Sequence, residues 1–342
     1  MNILSLFNGI SGLHLACDKA GINVDVCYYS EIDKHANKVT EHHYPNDIAL
    51  GDVTKWREWD IDWSSIDLVG AGFPCQAWSV AGQQLGDKDE RGMLFWTTLE
   101  IIKHVLYFNP KAKFLMENVK MKKDFEQYIT HHTEQALGHV KKTLINSALV
   151  SAQNRQRYYW TNFEVTQPED KGILLKDILE DGANAHGGAI RGRYNEDGST
   201  SQNLECNNQE KTNTLTTVQK DNVVVIRPAS IVGRRLNERG VRDDYNKRVA
   251  ITQCLQVKHK NEKTGCLTTV DKDNVLSTEA PGRYSDIYNR DDVLYRKLTP
   301  LECERLQTIP DNWTSMLSNT QRYKSIGNGW CIDVIAHILK HI

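Results

Sequence analysis

The sequence predicts an α/β fold, with a mainly parallel sheet covered by helices on both faces and a smaller loop-rich β unit inserted late in the chain. Three observations carry this. From residue 1 to about 163, strand-sized apolar runs alternate with helical stretches, the rhythm of strand-helix-strand units whose strands run parallel. From 164 to 292 long apolar periods give way to Gly, Asn, Thr and Arg with short Val- or Thr-rich runs, which suit strands and turns. From 293 to 342 the helical pattern returns, so this segment is expected to rejoin the first domain.

Taken in order, strands are expected over 3–7, 26–30, 67–71, 114–117, 143–146 and 158–161, where short apolar runs alternate with the helical stretches. Helices are expected over 12–20, 34–43, 92–108 and 124–136; in the third, Leu94, Thr98, Ile101 and Val105 fall on one face. In the middle segment, residues 210–223 recur as 262–275, with Leu-Thr-Thr-Val and Lys-Asp-Asn-Val in both copies. Two copies do not make a solenoid, but they mark a duplicated unit whose Leu215–Val218 and Leu267–Val270 runs read as scaffold strands. Two more helices are expected over 299–307 and 331–341.

The chain has 342 residues, 39% apolar and 25% charged, which excludes global disorder and fibre. No run approaches the roughly 18 apolar residues of a membrane span, and residues 1–7 read at once as a strand rather than a signal peptide. A soluble, cytosolic protein is expected. Its eight cysteines contain no C-x-x-C pair and read as reduced thiols; the twelve histidines show no metal-ligand spacing, so no metal is expected. Net charge is −2, but residues 1–100 hold 7 Lys+Arg against 15 Asp+Glu and residues 227–272 hold 11 against 5. The later segment therefore has the balance of a nucleic-acid face.

Chemistry concentrates at the predicted strand ends, where parallel sheets open a crevice. Phe7-Asn8-Gly9-Ile10-Ser11-Gly12 follows the first strand and opens the first helix, so backbone amides can face a ligand at Phe7, Gly9 and Gly12. Glu31 ends the second strand about twenty residues on, where an acid can accept from ribose hydroxyls; its alternative reading is a cap for the helix from Lys34. Asp52 is placed to bond an adenine amino group, with Ile32 and Val53 against the ring. Gly72-Phe73-Pro74-Cys75-Gln76 projects Cys75 from the next strand end, Glu117 ends another, and Arg155 and Arg157 alternate along the run before the last. Thiol, carboxyl and guanidinium are thus expected to converge.

With these motifs in order, the sequence resembles the DNA cytosine-5 methyltransferases of restriction-modification systems and phages. The matching residues are the glycine turn, Pro74-Cys75-Gln76, Glu117-Asn118-Val119, Gln153 to Arg157, Arg296-Lys297-Leu298-Thr299 with Glu302 to Gln307, and Gly327-Asn328. Two departures stand out: Ser11 where a glycine is often seen, and Gly329-Trp330-Cys331 where a small residue and valine are commoner. The resemblance implies a Rossmann-like S-adenosylmethionine-dependent catalytic domain over 1–163, a target-recognition domain over 164–292 and a carboxyl-terminal return over 293–342. It also places Pro74, Leu94 and Asn328 at the cofactor.

What this implies for chemistry is specific. Cytosine C5 is a poor nucleophile, and addition of the Cys75 thiolate to C6 makes it enamine-like. Glu117, as a carboxylic acid, donates to cytosine N3 and stabilises the charge that develops on addition, while Arg155 and Arg157 hold the base carbonyl and orient Glu117. The base must leave the duplex, and residues 76–91 read as a loop closing over it, with Gln76 and Ser79 as DNA contacts. Arg234, Arg235, Arg239 and Arg242 are the expected readers of phosphate or guanine. The implied partner is double-stranded DNA, with a cognate restriction endonuclease acting on the same site. A monomer in a prokaryotic cytoplasm, associated with the nucleoid through DNA, is expected. The rival readings are an RNA cytosine-5 methyltransferase and a non-catalytic DNA-binding relative.

Overall fold

The computed structural model describes residues 1–74, 90–180, 186–194, 200–206, 211–212, 214–215, 223–235, 251–257, 275–277 and 294–342; for 90–92 and for the strands between 186 and 297 it describes the backbone. The chain divides into two compact units, one of Met1–Ile173 with Pro300–Ile342 and one of Leu174–Thr299. The sequence places these breaks at 163 and 292. Residues 164–173 group with the first unit because Val165 packs on its core and Lys171 pairs with Asp333.

The first unit runs β1 (Asn2–Leu6), α1 (Gly12–Ala20), β2 (Val26–Ser30), α2 (Lys34–His43), β3 (Ile48–Ala49), β4 (Leu68–Ala71), α3 (Glu90–Phe108), β5 (Lys113–Val119), α4 (Lys123–Leu137), β6 (Lys141–Asn146) and β7 (Gln156–Thr161), and ends in α5 (Pro300–Leu306), α6 (Asn319–Asn328) and α7 (Ile332–Leu339). Its sheet order is β3-β2-β1-β4-β5-β7-β6. The pairs from β3 to β5 are parallel and those of β7 with β5 and β6 antiparallel. The mainly parallel α/β sheet is therefore as the sequence predicts. Strand alternation splits the apolar side chains between two cores: Ile3 and Leu115 pack with Leu13, Cys17, Ile335 and Leu339, whereas Leu4, Phe114 and Met116 pack with Phe95, Ile102 and Trp160.

Register fixes where the site lies. Leu6 pairs with both Ser30 and Ala71, and Ala71 with Met116, so the residues following β1, β2 and β4 line up with Glu117. The order reverses between β1 and β4, and such a switch point leaves a crevice at the strand carboxyl ends.

The second unit is an antiparallel sheet of β8 (His186–Tyr194), β9 (Thr200–Cys206), β10 (Val223–Arg235), β11 (Ile251–Val257), β12 (Val275–Ser277) and β13 (Leu294–Lys297). Its order is β11-β10-β8-β9, with β12 and β13 also paired to β10. The last residue of each sequence repeat begins a strand, Val223 in β10 and Val275 in β12. Leu215 is buried outside any strand, and the remainder of the two expected Leu-Thr-Thr-Val strands lies outside the described residues. No helix among the described residues is long and apolar enough to cross a membrane.

Candidate active site

The turn after β1 is built from unusual backbone. Phe7, Gly9 and Ser11 have φ of 55°, 56° and 66°, so three of five successive residues are left-handed, a conformation that only glycine adopts without steric penalty. Glu31 holds the turn. Its Oε2 accepts the Gly9 N–H at 2.8 Å, and its Oε1 accepts those of Ile32 and Asp33 at 2.8 Å each. The cap of α2 is instead Asp33, which accepts from His35 and Ala36, so the capping alternative for Glu31 gives way to a tie between turn and strand end. A carboxylate offers about four acceptor positions. Three are used here, and one remains.

At the end of β5, Glu117 is 8% exposed. Arg157 Nε lies 3.0 Å from its Oε1, and Trp330 Nε1 donates to its Oε2 at 3.2 Å. Arg155 is buried and donates through Nη2 to the Gly329 carbonyl at 2.9 Å, while its Nη1 is buried with no protein partner. Burial, with Arg157 nearby, lowers the Arg155 pKa to about 10 against the pull of Glu117, so it stays cationic at neutral pH. Gln307 donates to the carbonyls of Ile326 and Gly329 at 3.0 and 3.2 Å. Asn118 donates to the Phe73 carbonyl at 3.2 Å, which ties the end of β5 to the segment leading to Cys75.

The turn after β1, Glu117 and the segment Asn328–Trp330 share one cleft of about 460 Å³, open solvent included, whose wall contains Phe7, Gly9, Gly12, Glu117 and Asn328. Arg155 and Arg157 are not part of that wall and reach it through Gly329 and Glu117. Of the expected cofactor residues, Glu31 joins through Gly9. Ile32 and Val53 are set apart by burial, at 77% and 6% exposed. Asp52 holds Thr54 through Oδ1, and Leu94 packs on the second core. Pro74 is the last described residue before 90. Cys75, Gln76, Ser79, Arg239 and Arg242 lie outside the described residues, as does most of the expected loop over 76–91. Arg234 and Arg235 lie on β10, paired in register with Thr252 and Ile251. The sequence does not point to Trp330 or Gly72, both in the cleft wall; Trp330 stood out only as a departure from the resembled pattern.

The cysteines whose surroundings are described are not nucleophiles. Cys17, Cys27, Cys303 and Cys331 are free and buried. Burial raises the pKa of all four thiols, that of Cys17 to about 12, and a buried neutral thiol is inert. His14, Cys27 and Asp47 bring ligand-type atoms within 4.8 Å of one another, a grouping of residues distant in sequence that spacing does not reveal. The contact there is His14 Nδ1 to Asp47 Oδ2 at 3.0 Å.

The model of the family described as C-5 cytosine-specific DNA methylase matches residues 1–342. The chain is 27% identical to the type II methyltransferase M.NlaX of Neisseria lactamica, over 99% of this chain and 95% of that one. It is also 27% identical to M.HhaI of Haemophilus parahaemolyticus, over 100% and 94%. Among solved structures, a methyltransferase of Entamoeba histolytica covers 100% of this chain and 97% of its own at 16% identity, with a TM-score of 0.57, which shows a shared fold. The family match spans the glycine turn, the carboxyl at the end of β5 and the segment that closes the cleft from the far end of the chain: this protein belongs to the C-5 cytosine-specific DNA methylases and is an enzyme that methylates C5 of cytosine in DNA.

Proposed function

We propose that the cleft binds S-adenosylmethionine against the Phe7–Gly12 turn and receives a cytosine flipped from duplex DNA at Glu117. The observation that carries this is the convergence of the left-handed turn, Glu117 and Asn328 in one cleft at the sheet's switch point. The residues fit the cofactor: the turn leaves room for backbone approach at Gly9, Glu31 keeps one acceptor position for a ribose hydroxyl, and Ile32 offers an exposed apolar face for adenine. Asp52 would receive the adenine amino group, and Pro74, Leu94 and Asn328 would complete the site with Gly12 and Val53. When bound, S-adenosylmethionine supplies an electrophilic methyl group on a sulfonium sulfur.

In this reading Cys75 adds as thiolate to C6, breaking the ring conjugation and making C5 nucleophilic. Glu117, held by Arg157 and acting as a carboxylic acid, donates its proton to N3 and so stabilises the negative charge that addition creates. The buried Nη1 of Arg155 is a donor lacking an acceptor, as a site for a base carbonyl requires. After the methyl is on C5, loss of the C5 proton and departure of the thiolate from C6 restore aromaticity and Cys75. The Leu174–Thr299 unit reads the target, with Arg234, Arg235, Arg239 and Arg242 contributing and Gln76 and Ser79 contacting DNA beside the flipped base. The setting is a prokaryotic cytoplasm, where the protein acts as a monomer at the nucleoid, paired with an endonuclease of the same specificity as in type II systems.

The test is incubation of unmodified mixed-sequence duplex with S-adenosylmethionine, followed by base-resolution mapping of modified cytosines. One recurrent sequence methylated at C5 is expected. A duplex carrying 5-fluorocytosine at that site should trap the protein covalently, and its failure to do so would remove the cysteine adduct from the mechanism.

A further inference from the structure

Trp330 occupies the joint between the two halves of the cleft. Its Nε1 is 3.2 Å from Glu117 Oε2. Its ring leaves no room beside Gly72, where an added Cβ would lie 2.7 Å from Nε1 and 3.2 Å from Cε2, and an added Cβ at Gly12 would meet Cε3 at 3.5 Å. The backbone before it is clamped, because the Gly329 carbonyl accepts from both Arg155 and Gln307, and Cys331 begins α7 as its N-cap. An indole held on three sides has little rotameric freedom. Its N–H is a donor only, and the buried acceptor it meets is the carboxyl at the end of β5.

We infer that Trp330 is a positioning residue for Glu117: its indole N–H holds Oε2 while Arg157 holds Oε1, and together they fix the plane of the carboxyl. The inference rests on the assignment of Glu117 to the base pocket. A carboxyl bonded through one oxygen alone can still rotate about the bond to its chain. With a donor on each oxygen the plane is set, and each oxygen keeps a second lone-pair direction; the one left on Oε2 is where the acid form carries the proton it donates to cytosine N3. The ring's seat against Gly72 and Gly12 transmits the position of the cofactor turn and of the segment before Cys75 to that carboxyl. A valine-sized side chain could fill part of this space but could not donate.

The experiment compares Trp330→Phe, which keeps an aromatic ring on the glycines and removes the N–H, with Glu117→Gln and the double variant. Each is assayed on unmethylated genomic DNA with labelled S-adenosylmethionine, under steady-state and single-turnover conditions. Loss of one neutral hydrogen bond, about 0.5–1.5 kcal/mol, corresponds to a fall of roughly two- to twelvefold in kcat. KM for S-adenosylmethionine should stay within about twofold, and Trp330→Phe should add nothing to Glu117→Gln, since coupled residues are not additive. In the ¹⁵N spectrum of the full chain, the indole N–H resonance absent from Trp330→Phe should move upfield in Glu117→Gln.

A Trp330→Phe enzyme with wild-type kcat, a loss confined to KM, or an indole resonance indifferent to Glu117→Gln overturns the inference. If Glu117→Gln itself retains the wild-type single-turnover rate while the resonance moves, the contact stands but Glu117 is not at the base, and the role of Trp330 falls with that assignment. Should Trp330→Phe fail to fold, Gly72→Ala reaches the same contact from the other side. It removes no hydrogen-bonding group, and it is expected to lower kcat in the same range; unchanged kcat and an unmoved resonance in that variant also overturn the inference.

Discussion

Two carboxylates at strand ends have different partners, and the proposed function gives them different roles. Glu31 accepts three backbone N–H groups, so Glu31→Ala removes both the tie on the Gly9 turn and the remaining acceptor position. Hydrogen bonds to a charged group contribute about 1.5–3 kcal/mol each; titration calorimetry should show S-adenosylmethionine affinity weakened by roughly ten- to a hundredfold. Glu117 makes its contacts through Arg157 and Trp330, and Glu117→Gln should leave that affinity within about twofold while slowing methyl transfer. Equal loss of cofactor affinity in both variants would remove Glu117 from the base pocket. If Cys75 is the nucleophile, as proposed, Cys75→Ser should abolish turnover and the fluorocytosine adduct yet retain cofactor binding, because an alcohol is far less ionised than a thiol at neutral pH. That Glu31, Glu117 and the two arginines fall at strand ends was legible in the sequence, because strand ends are readable from strand patterns. Trp330 was not, since it lies 213 residues from its partner and Gly329 lies 174 from Arg155. Nothing local in Gly329-Trp330-Cys331 announces a contact with β5.

At the scale of elements, the expected helices and strands of the first unit correspond to strong apolar patterns, and those the sequence missed have none. Both residues of β3 are exposed, at the outer edge of the sheet. In α6 the buried residue is Ile326 alone; polar anchors hold this helix, with Arg322 on the buried Glu304 at 3.0 Å and Lys324 on Asp33 at 2.7 Å. Glu304 also accepts the backbone N–H groups of Asn312 and Thr314, so it fastens α5 to the segment leading into α6. The start of α7 is fastened in a similar way. Asp333 lies 2.7 Å from both Lys19 of α1 and Lys171. Partial burial pushes its pKa up, but the bonds from Lys171 and Lys19 outweigh this and leave it below the usual value near 3.8. A carboxyl lowered on folding contributes stability that is present above its unfolded value and is lost as pH falls through the folded one. Asp333→Asn should therefore lower stability at pH 7 by about 1 kcal/mol, or roughly 2–4 °C in Tm for a unit of this size. The gap to wild type should close below about pH 4, and a gap of constant size from pH 7 to pH 3 would remove the ion pairs as its cause.

For the whole molecule, the arrangement of the chain matters more than either boundary. The first unit is made of two pieces, and the later piece is no appendage: Ile332, Val334, Ile335, Ile338 and Leu339 of α7 are at most 1% exposed in the same core as Ile3 and Leu13. Fully burying such a side chain contributes about 1.5–3 kcal/mol, so α7 alone accounts for as much as the 5–15 kcal/mol net stability of a typical domain. The second unit has its own sheet, in which β10 pairs with β8, β11, β12 and β13, and the chain leaves and re-enters the first unit once each, at 173 and 300. A segment with its own hydrogen-bonded sheet and only two covalent crossings can be exchanged without opening the other core. Replacing residues 174–299 with the corresponding segment of a methyltransferase of another target should therefore yield a folded, active enzyme whose methylated cytosines follow the donor's sequence. The excess of basic residues over 227–272 adds a second expectation. Phosphate contacts release counterions in proportion to the charges they neutralise, so Arg234→Ala or Arg235→Ala, if either residue touches phosphate, should weaken binding on all sequences and flatten its salt dependence. A base-reading arginine should instead relax the site at one position. An active chimera that still methylates the original sites would place recognition outside 174–299 and assign it to the first unit.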